Sequence, residues 1–249
     1  NLAPHFVQFV EKDLAQRLGL DDIRRSGLQI TTTLDLDMQT LAQSVVAQKV
    51  AELQPKVDLS NAALVALKPG ANEILVMVGS ADFDNTAISG QVNVATSPRQ
   101  PGSAIKPVLY ATALSDNLIS PASVLWDVPV TYKVDEQTNY TPANYDKTFH
   151  GPVTVRTALA NSYNIPAVKL LDAVGVSRML ESARAMGLRS LSQESTYYGL
   201  SLTLGGGEVT LLDLTSAFAT LANAGTYAEP TAIRSIADAL GRPVSGWQQ

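Results

Sequence analysis

The sequence predicts an α/β chain of the α+β kind, with an antiparallel sheet flanked by helices. Two observations carry this. Residues 62–67 and 73–78 are apolar runs on either side of the turn-rich Lys68-Pro69-Gly70-Ala71-Asn72, which is a hairpin pattern. Beyond residue 155 the apolar residues recur at helical spacing. The hairpin strands carry few polar residues, so both faces of the sheet are expected to be covered.

The elements follow in order. Phe6, Phe9, Val10, Leu14 and Leu18 place a helix over His5–Leu20, with Gly19 as its stop. Residues 28–34, rich in Thr and Ile, read as a strand. Asp35 caps a second helix over about 37–53, which Pro55 ends. The hairpin comes next, then a loop-like stretch from Gly79 to Pro101. A helix is expected from about Ser103 to Leu114, and residues 120–151 look extended and irregular. Helices then cover about 155–162, 166–174, 176–186 and 211–223. Thr210 and Asp213 make a capping-box-like start to the last, and Gly225 lies past its end.

Composition narrows the function classes. Of 249 residues, 45% are hydrophobic and 16% charged, enough for a sizeable core. Eighteen Lys and Arg against 23 Asp and Glu leave a net charge of −5, which argues against nucleic-acid binding. The chain has no cysteine, so disulfides, thiol nucleophiles and thiolate metal sites are excluded. With only His5 and His150, a multi-histidine metal centre is not expected. No run approaches the roughly 18 apolar residues of a membrane span. The sequence starts at Asn1 and shows no signal peptide, and is expected to be a piece of a longer protein.

The first chemical motif is Ser103-Ala104-Ile105-Lys106. Pro101-Gly102 makes a turn before it, and Pro107 fits only a first helical turn, so Ser103 sits at a helix start with Lys106 on its face. A serine hydroxyl needs a neighbour to take its proton. Lysine can do so once burial and the helix dipole push its pKa down from about 10.4. The same helix end favours an oxyanion on the attacked carbonyl. An S-x-x-K is expected about once by chance in a chain this long, so the motif taken alone favours chance occurrence over catalysis.

S-x-N occurs twice. Ser115-Asp116-Asn117 would lie roughly 18 Å along the same helix from Ser103 and reads as the helix's polar end. Ser162-Tyr163-Asn164 falls in a turn between two expected helices. It can either fold back beside Ser103 or simply cap a helix. A third element, K-[ST]-G on a pocket strand, is absent: Lys147-Thr148 is followed by Phe149. Gly205-Gly206-Gly207 lacks the Lys-Ser/Thr of a phosphate loop and reads as a hinge before a helix. His150 has no G-x-S-x-G partner and reads as a loop histidine. Asp35 and Asp37 read as caps, and Tyr132, Tyr140 and Tyr145 either line a groove or pack a loop.

Four longer stretches carry a resemblance: GLQITTTLDLDMQTLAQ from Gly27, SPRQPGSAIKPVLYATAL from Ser97, NYDKTFHGPVTVRTALANSYNIPAVKLL from Asn144, and LTLGGGEVTLLDLTSAFATLANAGTY from Leu202. In this order they closely resemble the transpeptidase domain of class A, bifunctional penicillin-binding proteins. The resemblance implies the penicillin-binding transpeptidase and serine β-lactamase-like fold, with a five-stranded sheet. It implies that Ser103 attacks the D-Ala-D-Ala amide of a peptidoglycan stem peptide, and that Lys106 is the acylation base. Ser162 would relay a proton and Asn164 would position donor peptide and lysine, both contacting substrate. β-Lactams would trap Ser103 as a slow ester. No metal or organic cofactor is implied.

The resemblance also implies what lies outside the sequence. Residues 1–27 read as a linker and lead-in helix from a glycosyltransferase module, and 28–249 as the N-terminal and helical part of the transpeptidase domain. The K-[ST]-G strand and two others would lie beyond Gln249, in a C-terminal remainder expected as a separate segment or chain. Without them the hairpin is expected to expose unpaired backbone and apolar faces, and the chain alone to be inactive. The parent would be membrane-anchored on the extracytoplasmic face of a bacterial cell membrane. A serine β-lactamase or D-Ala-D-Ala carboxypeptidase on the same scaffold, or an inert fragment, are the alternatives.

Overall fold

A computed structural model describes residues 1–19, 27–134 and 137–244. Leu20, the expected end of the first helix, lies outside the described residues. The chain divides into two compact units, one from residues 1–98 and 210–249 and the other from residues 99–209.

The first unit is built on the hairpin. β2 (Leu64–Lys68) and β3 (Glu73–Val78) pair antiparallel. Helix α1 (Pro4–Leu18) lays Phe6, Val10 and Leu14 against one face, and stops at Gly19 with φ 63°. Helix α2 (Leu36–Val57) lays Ala42 and Val46 against the other. Both faces are therefore covered, as the apolar strands require, and the apolar faces expected to be exposed in the absence of the C-terminal strands are instead buried by these two helices. A bulge between Ala66 and Leu67 sets which side chains go where. Ile74 and Met77 point to α1, while Leu75, Val76 and Val78 point to α2. Strict alternation would put Met77 and Leu75 on one side. The extra residue of a bulge breaks that period.

The outer edge of β3 is closed without a further long strand. Gln39 of α2 donates Nε2–H to the Met77 carbonyl at 3.1 Å and accepts the Met77 N–H at 2.9 Å. Thr33 Oγ1 donates to the Ile74 carbonyl at 2.7 Å, and Ile74 N–H donates to the Thr231 carbonyl at 2.8 Å. The expected unpaired backbone is thus confined to β2, whose other edge has no strand partner among the described residues. A second antiparallel pair joins β1 (Gln29–Thr32) to β8 (Ile233–Ala237), and α7 (Leu211–Ala222) packs on β2. Thr210 Oγ1 accepts the Asp213 N–H at 3.0 Å, the cap that the sequence predicts.

Pro55 does not end α2. The helix runs to Val57, and Asp58 closes it at φ 53°. Proline removes one N–H and leaves the carbonyl four residues back unbonded. Here Ala51 and Pro55 are both exposed, so water can take that acceptor. No helix among the described residues is long and apolar enough to cross a membrane.

The second unit is mostly helical. A 3₁₀ turn, Gly102–Ile105, leads into α3 (Lys106–Ser115). Helices α4 (Val155–Ala160), α5 (Asn164–Val174) and α6 (Val176–Ala185) follow. Helix α3 packs on α5 and α6, burying Val108, Leu109, Ala113, Ile165, Val168, Leu171 and Met179 completely. The stretch expected to be irregular holds two short antiparallel pairs. β4 (Val124–Asp127) pairs with β7 (Gly151–Thr154), and β5 (Tyr132–Lys133) with β6 (Asn139–Tyr140). Such short pairs are carried by cross-strand hydrogen bonds and leave little periodicity to read.

Candidate active site

Ser103 lies in the 3₁₀ turn, and Lys106 opens α3 with Pro107 behind it, where a missing N–H is tolerated. The Lys106 backbone N–H donates to the Ser103 carbonyl, so the pair sits one tight turn apart. Ser103 is exposed, whereas Lys106 is 1% exposed.

The turn is held from behind by glycines. Gly102 adopts φ +58° and Gly205 φ +92°, and a Cβ on Gly205 would lie 2.3 Å from the Gly102 nitrogen. One on Gly207 would meet Leu191, Tyr198 and Leu202 at 2.8–3.0 Å. The triplet is therefore no hinge. It is a close backbone contact that only glycine permits, pressed against the residue that precedes Ser103. Arg99 and Val209 exchange backbone hydrogen bonds at 2.9 Å and fasten the two segments alongside.

The Ser162-Tyr163-Asn164 turn is shaped by the end of α4. Ser162 N–H donates to the Leu159 carbonyl and Tyr163 N–H to the Ala158 carbonyl, both at 3.0 Å. This is a Schellman motif with Ser162 at the left-handed position, φ 56°. Glycine normally occupies that position. A serine there carries backbone strain, which native folds keep mainly at functional sites. Helix α5 starts at Asn164, two residues before the expected Pro166.

The structure brings three of the four expected residues into direct contact. Lys106 Nζ donates to the Ser162 carbonyl oxygen at 2.5 Å, to Ser162 Oγ at 3.1 Å and to Asn164 Oδ1 at 2.7 Å. These acceptors satisfy the three donors of an ammonium. Asn164 Nδ2 donates to the Ala143 carbonyl at 2.9 Å, which fixes its amide with the oxygen toward the lysine. Burial lowers the Lys106 pKa to about 8. At that value roughly one molecule in ten carries a neutral amine at pH 7, able to accept a proton. The fourth residue, Ser103, is exposed and is not among the hydrogen-bond partners of Lys106 Nζ.

The rejected motifs have structural jobs. Asp116 receives two hydrogen bonds from Arg178, at 2.8 and 2.6 Å, and Asn117 ends α3 at φ 56°. Asp35 accepts the Met38 N–H at 3.0 Å as a helix cap. Tyr132 and Tyr140 stack at 6.5 Å and line a cavity of about 500 Å³ with Asp172, Leu200 and Ser201, whereas Tyr145 is 100% exposed. His150 is more than a loop histidine. Its Nδ1 lies 2.5 Å from Asp127 Oδ2, and its ring stacks on Tyr163 at 4.0 Å.

Sequence reasoning gave no role to Asn144. Its Oδ1 accepts the backbone N–H groups of Asn164 at 2.8 Å and Ile165 at 3.3 Å. Helix α5 needs this external cap, because its N-cap residue is Tyr163, whose side chain makes no capping bond.

The chain resembles known proteins along most of its length. Residues 62–249 match the penicillin binding protein transpeptidase domain. Penicillin-binding protein 1C of Escherichia coli is 35% identical over 197 residues, covering 79% of this chain and 24% of that protein. Penicillin-binding protein 2D of Bacillus subtilis is 31% identical over 244 residues, covering 96% of this chain and 33% of that protein. The chain thus spans about a quarter to a third of these relatives. Among solved structures, penicillin-binding protein 1A from Haemophilus influenzae aligns with a TM-score of 0.81 at 21% identity, over 97% of this chain and 49% of that one. The PonA1 protein from Mycobacterium tuberculosis in complex with penicillin V gives 0.80 at 22% identity, over 97% of this chain and 64% of that one.

Proposed function

The chain belongs to the penicillin-binding protein transpeptidase domain family, and from that premise we propose that it is the acylating part of a D,D-transpeptidase that cross-links peptidoglycan stem peptides. The observation that carries this is the Lys106 ammonium held by Ser162 and Asn164 one turn from an exposed serine.

Ser103 Oγ attacks the carbonyl carbon between the two terminal D-Ala residues of the donor. Its proton passes to neutral Lys106 Nζ. The tetrahedral oxyanion collapses, the C–N bond breaks, and a proton returned through Ser162 Oγ lets D-Ala leave as the amine. The ester on Ser103 is then attacked by the side-chain amine of a second stem peptide. That amine gives up a proton by the same route as the new amide forms and Ser103 is regenerated. Asn164 holds the donor backbone and keeps Lys106 aimed. A β-lactam acylates Ser103 in the same way, and its tethered leaving group slows release.

This reading extends to the chain's surroundings. Stem peptides are its substrates and β-lactams its covalent inhibitors. A C-terminal strand bearing K-[ST]-G, supplied from outside these 249 residues, pairs along the open edge of β2. Residues 1–27 lead in from a glycosyltransferase module, and the parent works on the outer face of a bacterial cell membrane.

The experiment is peptide mapping after labelling the complete protein with a fluorescent penicillin. The label is expected on Ser103 and lost in Ser103→Ala. A label on Ser115 or Ser162, or one that survives Ser103→Ala, refutes the assignment.

A further inference from the structure

The Ser162–Asn164 turn is held by a group that the reaction itself does not use. Asp127, at the end of β4, is 0% exposed. It accepts Asn144 Nδ2 on both oxygens, at 2.9 and 2.8 Å, and the His150 backbone N–H at 3.0 Å and ring Nδ1 at 2.5 Å on Oδ2. Two branches run from it to the turn. One passes through Asn144, whose Oδ1 caps α5 at Asn164 and Ile165. The other passes through His150, whose ring lies flat on Tyr163 at an interplanar angle of 14°.

We propose that Asp127 is a positioning residue for acylation, which holds the Lys106-binding turn in place through Asn144 and His150. The inference rests on the catalytic roles proposed above for Lys106, Ser162 and Asn164.

The argument is one of donors and acceptors. An asparagine amide has two nearly isosteric orientations. A carboxylate only accepts, so Asp127 obliges Asn144 to present Nδ2 to it. That leaves Oδ1 facing the α5 N-terminus, where only an acceptor is useful. The Thr148 carbonyl, 2.9 Å from Nδ2, selects the same orientation. Flipped, the amide would set its own donors against the N–H groups of Asn164 and Ile165. The same residue, Asn164, that receives the cap on its backbone supplies Oδ1 to Lys106 from its side chain. A shift of the turn therefore moves the lysine's acceptors directly. The arrangement also accounts for a left-handed Ser162: the turn is strained and is over-determined from outside.

The test is the second-order rate constant for penicillin acylation of Ser103 in the complete protein, with thermal denaturation read alongside. Asp127→Asn places an amide donor against the donors of Asn144 or His150. Acylation is expected to fall about 10- to 100-fold, as displacements near 1 Å away from the reacting atoms can cost. The reciprocal pair Asp127→Asn with Asn144→Asp restores a donor facing an acceptor and keeps an acceptor toward α5, while it leaves the Thr148 carbonyl without the Asn144 donor. It should recover in part, to at least about three-fold above Asp127→Asn. Thermal denaturation separates positioning from a general loss of stability: the rate of the folded Asp127→Asn protein, measured well below its melting temperature, must still be reduced. An Asp127→Asn protein within two-fold of the unmodified rate, or a reciprocal pair no faster than Asp127→Asn, overturns the proposal. If Asp127→Asn does not fold, Asn144→Ala removes the cap on α5 together with the donor to Asp127 and to the Thr148 carbonyl, which cuts this branch at its middle: a fall of at least about ten-fold supports the proposal, and a rate within two-fold overturns it. Ser103→Ala separates the two levels. Labelling that survives it defeats the catalytic reading, whereas labelling confined to Ser103 with normal rates in the variants defeats only the role of Asp127.

Discussion

At the residue scale the governing fact is the environment of Lys106. Burial alone lowers its pKa, from 10.5 to about 8. A neutral amine is the competent base, so acylation should rise with pH through about 8 and level off above it. Lys106→Ala should lower acylation by about 10²–10⁴ and abolish that limb, and a stopped-flow pH series with labelled penicillin measures both. An unchanged rate would mean that another group takes the proton. The same burial has a stability signature. Between about 8 and 10.5 the unfolded chain holds the lysine proton and the folded chain has lost it, so stability should rise with pH across that window.

At the scale of elements, the end of α4 sets a required conformation against a required side chain. Ser162 occupies the left-handed position of a Schellman motif, at φ 56°. A non-glycine residue there costs about 1–2 kcal/mol, which glycine would recover. Ser162→Gly should therefore raise the melting temperature while removing the hydroxyl that contacts Lys106 Nζ, and acylation should fall. Calorimetry beside a labelling rate decides it. A variant both less stable and equally active would contradict the account. The local half of this design is legible in the chain: Ser103, Lys106 and Pro107 announce a helix start by spacing alone. The cage is not, because Lys106 and its acceptors are 56 and 58 residues apart.

On the scale of the whole molecule, the chain returns on itself. Residues after 210 rejoin the unit formed by the first 98, and Thr231 exchanges backbone hydrogen bonds with Asn72 and Ile74. The hairpin at the centre of that unit has covered faces and a closed β3 edge, but the second edge of β2 has no strand partner among the described residues. No K-[ST]-G tripeptide occurs in the 249 residues. In the reading proposed here, that strand supplies a carboxylate-binding cation and an oxyanion donor. Loss of one such donor typically costs about 10²–10³ in rate. The 249-residue chain by itself is expected to label with penicillin slower than the complete protein by at least that factor. Addition of the C-terminal segment should restore labelling, and full labelling without it would refute the dependence.

The sequence by itself determined what is local. The apolar periodicity of residues 6–18, the caps at Asp35 and Thr210, the paired apolar runs around Pro69-Gly70, and the Ser103–Lys106 spacing depend on neighbours within a turn or two. Short-range sterics and hydrogen bonding decide such features. Tertiary structure decided the rest. Gly205 gives no sign in sequence that it lies against Gly102, and Gln39 no sign that it closes the β3 edge at Met77. Asn144 and Asp127 both fall in the stretch that reads as extended and irregular, and only the β4–β7 pair and the start of α5 bring them together. In each case a buried polar group or a missing side chain is matched to a partner far along the chain. A polar atom's need for a partner can be read from its type, but which partner meets it depends on the path of the backbone.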